Sequence, residues 1–384
     1  MTAADALAER IHREGPIPFD AFVDGALYGA DGFFATGHGA GRAGRDFVTS
    51  PETGTLFGAL VARALDGWWS DLDTPDPFFV VEAGAGRGRL AADILRAEPS
   101  CAPALRYLLV ERSPASRAAQ RELLALEPVE DAIGPTRVVD DDTDAVPITG
   151  TGPIVASLAE LPVVPLTGIV LANELLDNLP FRVVERADGT WLEVRVGLTS
   201  TSTFTEVLVP ATDELSAEAD LVASRAVAVG TRLPVPTGAR EWLHECARVL
   251  SRGHLVVVDY VADASELVAR GDGWLRTYRG HERGAAPLDD PGSQDITHDV
   301  PLEHLTRTAA RAGWQLVSDS TQAAWLQSLD LEPLVARARV EWDARAHVGD
   351  LEALRHRSVV TEAAALTDPS GLGAHRVLLF SRSA

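Results

Sequence analysis

Residues 78–88 have the sequence Phe-Phe-Val-Val-Glu82-Ala-Gly84-Ala-Gly86-Arg-Gly88. The apolar run before Glu82 is short and uninterrupted, which is typical of a buried β-strand. The three glycines after it allow the backbone to turn tightly and leave room for a ligand beside the main chain. We therefore expect a strand, a ligand-binding turn and then a helix that begins at Arg89. The alternative is a turn whose glycines only permit close packing.

Further short apolar runs alternate with helical patterns along the rest of the chain. The runs that predict strands after the first one are residues 105–111, 136–139, 168–173, 254–259, 314–318 and 376–380. The patterns that predict helices are residues 53–69, 89–97, 114–126, 238–250 and 302–312. Such alternation predicts an α/β protein with a Rossmann-like, mainly parallel sheet and helices on both of its faces.

The same patterns predict how the chain is divided. Residues 1–76 are expected to form an N-terminal helical arm or lid, with an amphipathic helix at residues 19–28. Residues 77–180 and 236–384 would form the two parts of the core, the second with a long substrate-side loop at about 271–297. A hairpin signal at Asp188-Gly189 marks residues 181–235 as a small inserted lobe that contains β-strands.

The spacing of the glycines indicates which cofactor the turn binds. A dinucleotide-binding turn has glycines at its first, third and sixth positions, whereas here they fall at the first, third and fifth, after Glu82. This spacing favours S-adenosylmethionine, which has no pyrophosphate to place at the helix N-terminus. Glu111 ends the second predicted strand, where a carboxylate can accept hydrogen bonds from both ribose hydroxyls of an adenosine. Glu111 could instead cap the following helix.

A polar segment follows the strand predicted at residues 168–173. Its sequence is Asn173-Glu-Leu-Leu-Asp-Asn-Leu-Pro180, and it lies at the carboxyl edge of the sheet, where ligands of open α/β folds bind. We expect Asn173, Glu174 and Asp177 to face the site of methyl transfer. Helix capping by Asn173 or Asp177 is the alternative role.

Composition excludes several classes of function. A formal net charge of −22 disfavours nucleic acid and favours a cationic partner, although acidity also maintains solubility. The sequence contains no lysine, which excludes catalysis by a lysine base or Schiff base. The two cysteines are far apart, and no leader or membrane-spanning run is visible, so we expect a cytoplasmic location and no membrane association. His281 and His298 lack the spacing of metal ligands, and we predict no metal site.

Four motifs in order resemble one known family. They are Arg45-Asp-Phe-Val-Thr-Ser-Pro-Glu52, the loop Glu82–Leu90, Val110-Glu-Arg-Ser-Pro114 and Ala172-Asn-Glu-Leu-Leu-Asp-Asn-Leu-Pro180. Together they are similar to the MidA family of class I methyltransferases, which includes the mitochondrial complex I assembly-factor protein arginine methyltransferase. The later segments Asp259-Tyr260, residues 275–281, residues 291–297 and Thr321-Gln322 also resemble this family.

The resemblance implies an S-adenosylmethionine-dependent methyltransferase that forms S-adenosylhomocysteine and modifies an arginine of a protein or peptide substrate. The alternatives are a methyltransferase for a small molecule or natural-product peptide, and a non-catalytic assembly factor that binds the cofactor. The residues expected to bind the cofactor are Thr49, Ser50, Glu82, Gly84, Gly86, Gly88, Glu111, Arg112 and Asn173. Those expected to act on the acceptor are Glu52, Asn173, Glu174 and Asp177, with Tyr28, Asp46 and Phe47 closing the pocket. Whether the chain forms a homodimer stays open.

Overall fold

The computed structural model describes residues 2–36, 49–134, 150–280 and 282–383. The strand predicted at residues 136–139, the pocket residues Asp46 and Phe47, and His281 lie outside the described residues. Within the described ranges, no helix is long and apolar enough to cross a membrane.

Helices and strands are numbered separately along the chain. The α-helices of the described residues are α1 Ala3–Glu14, α2 Phe19–Tyr28, α3 Leu56–Asp71, α4 Arg89–Arg96, α5 Pro114–Gln120, α6 Val129–Ile133, α7 Asp213–Ala223, α8 Thr237–Val249, α9 Ala264–Arg270, α10 Leu302–Arg311, α11 Gln322–Ser328, α12 Leu331–Arg345 and α13 Leu351–Leu366. The first nine strands are β1 Ile17–Pro18, β2 Phe78–Ala83, β3 Leu105–Val110, β4 Ile154–Leu158, β5 Leu166–Asn173, β6 Arg182–Arg186, β7 Trp191–Leu198, β8 Phe204–Pro210 and β9 Arg232–Val235. The others are β10 Leu250–Asp259, β11 Val261–Ala262, β12 Leu275–Arg279, β13 Glu282–Arg283, β14 Asp295–His298, β15 Val300–Pro301, β16 Gln315–Thr321 and β17 Arg376–Arg382.

The described residues group into two compact units. The core unit contains those within 48–173, 248–258 and 316–384, and the accessory unit contains those within 1–47, 174–247 and 259–315. The four-part division expected from the sequence stays a prediction. Two features differ from it. Helix α3, expected in the arm, packs in the core unit, and residues 271–297 contain the strands β12, β13 and β14 instead of one continuous loop.

A seven-stranded sheet organises the core unit, in the order β16-β17-β10-β5-β2-β3-β4. The five consecutive strands β10, β5, β2, β3 and β4 are all parallel. Every residue of β2 and of β3 is buried, so both faces of the sheet are covered, as the uninterrupted apolar runs predict. The Rossmann-like α/β fold is therefore confirmed. The chain order reverses between β2 and β5, which makes their carboxyl ends the expected ligand-binding edge.

The accessory unit is built around an antiparallel sheet. Strand β7 pairs with β6, β8 and β1, and β6 also pairs with β9. The predicted hairpin at Asp188-Gly189 connects β6 to β7. Helix α2, which the sequence places at the same residues, buries Phe19, Phe22 and Val23 in the apolar core of this unit. Strand β12 lies between β13 and β14 in a separate small sheet.

Several predicted boundaries change for local reasons. Helix α3 begins at Leu56 and not at residue 53, because Ser50–Glu52 forms a 3₁₀ turn before it. Helix α5 ends at Gln120, six residues before its predicted end. Seven helices of the described residues were not predicted individually, namely α1, α6, α7, α9, α11, α12 and α13. The weak amphipathic pattern of α12 and α13, which bury few residues, gives sequence periodicity little to detect.

Candidate cofactor and acceptor sites

The glycine turn after β2 has the backbone conformation that its sequence predicts. Gly84, Gly86 and Gly88 all have positive φ angles, of 72°, 52° and 79°. A Cβ atom added at Gly86 would meet nothing within 4 Å, so the space beside this residue is open. The turn therefore leaves the space beside Gly86 accessible, as a cofactor that approaches the backbone requires.

Glu111 is hydrogen-bonded to this turn. Its Oε2 accepts from the backbone N–H of Gly86 at 2.9 Å, and its Oε1 accepts from the N–H of Ser113 at 2.7 Å. Burial raises the pKa of Glu111, while the two N–H donors and the charges of Arg117 and Arg112 act in the opposite direction. Ser113, not Glu111, provides the side-chain cap of α5. The carboxylate thus holds the end of β3 and the turn after β2 together.

Gln120 braces the same turn from α5. Its Nε2 donates to the carbonyl oxygen of Gly86 at 2.8 Å, and its Oε1 accepts from the hydroxyl of Ser157 on β4. The side chain is fully buried. Both backbone polar groups of Gly86 are therefore held by side chains. Gln120 was not predicted as a site residue, since only its position at the end of a short helix brings it to the turn.

Glu82 is buried directly before the glycines. Tyr107 on the neighbouring strand β3 donates its hydroxyl proton to Glu82 Oε2 at 2.7 Å. Burial raises the pKa of Glu82 to about 8, and the nearby Glu111 charge adds to this effect. A buried carboxylate of this kind favours a cationic group beside it, because such a group would offset the cost of burying its charge.

The other residues expected to bind the cofactor are placed differently. Thr49 and Ser50 are buried at the start of the 3₁₀ turn, and Ser50 donates its hydroxyl proton to Gln322 Oε1 at 2.8 Å. Glu52 ends this turn and is half-buried. Arg112 is exposed, and Asn173 ends β5 opposite Val258 of β10. The 3₁₀ turn packs against α4, the helix that follows the glycines.

In the accessory unit, a cluster of charged residues begins at Glu174. This residue has a φ of +50°, a left-handed conformation that is uncommon outside glycine and costs roughly 1 kcal/mol. The next two N–H groups along the chain, those of Leu175 and Leu176, donate to Asp259 Oδ2 at 3.1 and 2.7 Å. Asp259 Oδ1 accepts from the N–H of Tyr260. Asp259 thus fixes the strained backbone that carries Glu174.

Asp177 lies in the same cluster and is almost fully buried. Thr297 donates its hydroxyl proton to Asp177 Oδ2 at 2.6 Å, whereas Oδ1 is buried with no hydrogen-bond partner among the described residues. Burial raises the pKa of Asp177 to about 6, with a further contribution from Asp299 and an opposing one from Arg276. Burial and the Asp177 charge also raise the pKa of Asp259 well above its usual range. Burial of these carboxyl groups close together therefore disfavours their charged forms, and a cation beside them would offset this cost.

The cluster already holds two guanidinium groups of the protein itself, since Arg270 and Arg276 both donate to Asp299. Arg276 donates to Asp299 Oδ1 at 2.6 Å, and its guanidinium carbon lies 5.3 Å from the centre of the Tyr260 ring. Carboxylates and an aromatic face are the groups that bind guanidinium ions in proteins. No role was predicted for Arg276, Thr297 or Asp299. Arg276 and Thr297 come from the segment interpreted as a loop, and Asp299 follows it directly.

His298 is packed as a neutral ring. Its Nδ1 lies 2.9 Å from the carbonyl oxygen of Asp177, so this nitrogen carries the proton, and the ring stacks on Phe181 with centroids 4.1 Å apart. Burial lowers the pKa of His298 to about 3. These contacts give the histidine a role in holding the Asp177 segment. No group of three or more potential metal ligands occurs in the ranges that the structure describes.

Comparison with known proteins agrees with this geometry. Residues 60–318 match a family model described as "Putative S-adenosyl-L-methionine-dependent methyltransferase". The mitochondrial protein arginine methyltransferase NDUFAF7 homologue of Drosophila melanogaster is 28% identical over 360 residues, which cover 88% of this chain and 78% of that protein. The mitochondrial NDUFAF7 protein of Mus musculus is 28% identical over 318 residues, with coverages of 79% and 68%.

Solved structures give the same result. A candidate methyltransferase from Burkholderia thailandensis, crystallised with S-adenosylhomocysteine, is 26% identical, with a TM-score of 0.80 over 99% of this chain and 92% of that chain. A native crystal structure from the same organism gives a TM-score of 0.78 at 25% identity over 99% and 91% of the two chains.

These comparisons correct one expectation and confirm two. The cytoplasmic location expected from the sequence is wrong, because the named relatives are mitochondrial proteins. The predictions of S-adenosylmethionine as cofactor and of methyltransferase activity are confirmed. The matched region includes more than half of the chain, and the glycine turn lies within it. The chain therefore belongs to this family of S-adenosylmethionine-dependent methyltransferases.

Proposed function

We propose that this enzyme transfers a methyl group to a nitrogen of an arginine side chain in a protein substrate. The observation that carries the proposal is Asp177 Oδ1, a buried carboxylate oxygen without a donor among the described residues. A buried acceptor of this kind is costly unless a donor group occupies it. The planar guanidinium offers five N–H donors in a fixed arrangement, which suits a carboxylate better than a single ammonium does.

Glu174 and Asp177 would both bind the acceptor guanidinium. Glu174 follows β5 directly and has a strained backbone, which is common at positions where function fixes the geometry. Since Asp177 has a pKa of about 6, it is mostly ionised above neutral pH and can pair with a cation. Glu52 would assist from the 3₁₀ turn. The net charge of −22 would attract a basic protein segment.

The proposed cofactor contacts follow from the core unit. Glu82 would pair with a cationic group of the cofactor, and the turn at Gly84, Gly86 and Gly88, with the open space beside Gly86, would lie next to it. Glu111 would accept from the ribose, with further contacts from Thr49, Ser50, Arg112 and Asn173. When bound, S-adenosylmethionine supplies an electrophilic methyl group on its sulfonium. The protein residues then contribute alignment and exclusion of water.

Named relatives support an arginine acceptor, since NDUFAF7 proteins are described as protein arginine methyltransferases. The alternative acceptors are a small molecule and a natural-product peptide. The chemical identity of the methylated product distinguishes them from an arginine side chain. The proposal of an arginine acceptor changes no other expectation about partners. We still expect no nucleic-acid or membrane partner, and the homodimer stays a prediction.

The test is to identify the methylated residue. Purified enzyme is incubated with methyl-labelled S-adenosylmethionine and a protein extract from cells that lack this chain. The labelled protein is then hydrolysed, and its amino acids are separated. Label in methylarginine, absent with the Glu174→Gln variant, is the expected result. Label confined to methyl-lysine or to small molecules would overturn the arginine assignment while leaving methyltransferase activity intact.

A further inference from the structure

Two buried side chains near the C-terminus hold the turn that precedes α3. Gln322 is the first residue of α11, and Glu362 lies in α13. We refer to this pair as the C-terminal clamp. Both residues lie outside the region that matches the family model, as does the turn at Thr49–Glu52. Gln322 also belongs to a motif, Thr321-Gln322, to which sequence reasoning assigns no role.

Gln322 is completely buried, and each of its polar side-chain atoms has a partner. Its Nε2 donates to the carbonyl oxygen of Leu366 at 3.1 Å, which leaves Oε1 to accept the hydroxyl proton of Ser50 at 2.8 Å. Its backbone N–H donates to the carbonyl oxygen of His375 at 2.7 Å. Since a carbonyl oxygen cannot donate, the amide has one orientation. The Ser50 hydroxyl is therefore directed toward α11.

Glu362 holds the other end of the same segment. Its Oε2 accepts from the N–H of Leu56, the first residue of α3, at 2.9 Å. Thr55, the residue before this helix, forms no side-chain cap, so Glu362 supplies the missing one from 306 residues away. A carboxylate at a helix N-terminus is favourable for the unpaired N–H groups and for the helix dipole. Ser358 donates its hydroxyl proton to the second oxygen of Glu362.

The fit around Gly54 shows how closely this clamp is packed. A Cβ atom added to Gly54 would lie 2.0 Å from the carboxyl carbon of Glu362. Any larger residue must therefore push Glu362 away from Leu56. The turn between the two clamp contacts packs against α4, which directly follows the glycine turn. A displacement of Thr49–Glu52 would thus shift α4 next to the cofactor-binding backbone.

We propose that Gln322 and Glu362 are positioning residues, which set the Thr49–Glu52 turn in the geometry needed to bind the cofactor. They act through Ser50 and through the start of α3 and need not touch the ligand. This inference rests on the proposed role of the turn in the cofactor site. It assigns a function in cofactor binding to the C-terminal helices, beyond the matched family region.

Calorimetric titration with S-adenosylhomocysteine tests the clamp without any acceptor. We expect Ser50→Ala and Gln322→Met each to weaken binding about tenfold, which is ~1.4 kcal/mol and close to the value of one buried hydrogen bond. The double variant should bind no more weakly than either single variant, because all three lack the same bond. Compared with Gln322→Met, its melting temperature should fall no further, because that variant has already lost both side-chain bonds of Gln322, to Ser50 and to Leu366. A purely structural role would lower the melting temperature of the single variants and leave their affinity unchanged.

Glu362 provides a second pair of variants. Glu362→Gln keeps an oxygen that can accept from Leu56 and should bind within about twofold of the wild type, whereas Glu362→Leu should lose about tenfold. Ser328→Ala is the matched control, because it removes a hydroxyl from α11 that bonds only within that helix.

Folded variants of Ser50, Gln322 and Glu362 that all bind with wild-type affinity would overturn the clamp. If Glu111→Ala lost binding in the same experiment, the result would support the proposed cofactor site and contradict only the proposed role of the clamp. Wild-type protein that bound no S-adenosylhomocysteine would overturn both.

Discussion

Glu111 Oε2 and the backbone N–H of Gly86 are hydrogen-bonded at 2.9 Å, which joins the end of β3 to the glycine turn after β2. The two residues are 25 positions apart in the sequence and follow the ends of the neighbouring parallel strands β2 and β3. A ligand that accepted a hydrogen bond from the Gly86 N–H in place of Glu111 would change the environment of the carboxylate. The state of Glu111 and the shape of the turn are therefore coupled.

Loss of either partner should prevent cofactor binding. Gly86→Val places a β-branched residue at a φ of +52°, where strain costs roughly 1–2 kcal/mol, and fills the open space beside the turn. Glu111→Ala removes the acceptor of two backbone N–H groups. Titration with S-adenosylhomocysteine should show at least a tenfold loss of affinity in both variants. Unchanged binding in folded Glu111→Ala would remove this residue from the cofactor site.

Replacing Glu174 should separate turnover from cofactor binding. Glu174→Ala removes a carboxylate proposed to hold only the acceptor, so we expect turnover to fall by about 100-fold, the scale of one lost transition-state contact. The affinity for S-adenosylhomocysteine should stay within about twofold of the wild type. Single-turnover methylation and calorimetry on the same sample provide the two measurements. An equal loss of both would place Glu174 in the cofactor site instead.

The buried Glu82 predicts a pH-dependent stability. The native state retains this proton up to about pH 8, whereas the unfolded chain loses it near pH 4.5. Because the native state binds more protons between these values, stability falls as the pH rises from about 4.5 to 8. Glu82→Gln cannot ionise, and its amide oxygen can still accept from Tyr107.

Both proteins are compared without cofactor. At pH 9 the free energy of unfolding of the variant should therefore exceed that of the wild type by on the order of a few kcal/mol, and the variant should melt at a higher temperature. At pH 4 the two proteins should melt at similar temperatures. Calorimetric scans at both values check this, with the exposed Glu130→Gln as the control. A difference between variant and wild type that did not depend on pH would show that folding does not shift the pKa of Glu82.

Gly54, just before α3, and Gly67, inside α3, allow the same substitution to be compared at a crowded position and at an open one. Gly54→Ala should displace Glu362 from Leu56, so stability should fall by about 1–3 kcal/mol, the cost of a buried group left unpaired. Gly67 lies inside α3 with nothing within 4 Å of an added Cβ, and Gly67→Ala should raise stability by roughly 0.5–1 kcal/mol. Denaturant unfolding measures both. A stabilising Gly54→Ala would mean that Glu362 moves at no cost.

Local patterns were sufficient to predict the parallel sheet. Continuous apolar runs such as Phe78–Val81 mark strands buried on both faces, and the glycines after Glu82 mark a turn open to a ligand. Glu111 and Asn173 could be proposed because parallel strands place their carboxyl ends at one edge. These inferences depend only on uninterrupted apolar runs, which mark strands covered on both faces, and on the conformational range of glycine.

The sequence did not indicate which distant side chains complete these local features. Gln120, Gln322 and Glu362 are polar residues in helices, a pattern that usually means solvent exposure, yet each is buried against a segment far away in the chain. The orphan oxygen of Asp177 and the strained backbone of Glu174 likewise exist only in the folded chain. The sequence by itself determined the sheet, the glycine turn and the class of cofactor, because these follow from short-range periodicity and backbone freedom. Only the tertiary structure decided which buried polar groups are paired, because hydrogen bonds between residues up to about 300 positions apart depend on the packing of the whole unit.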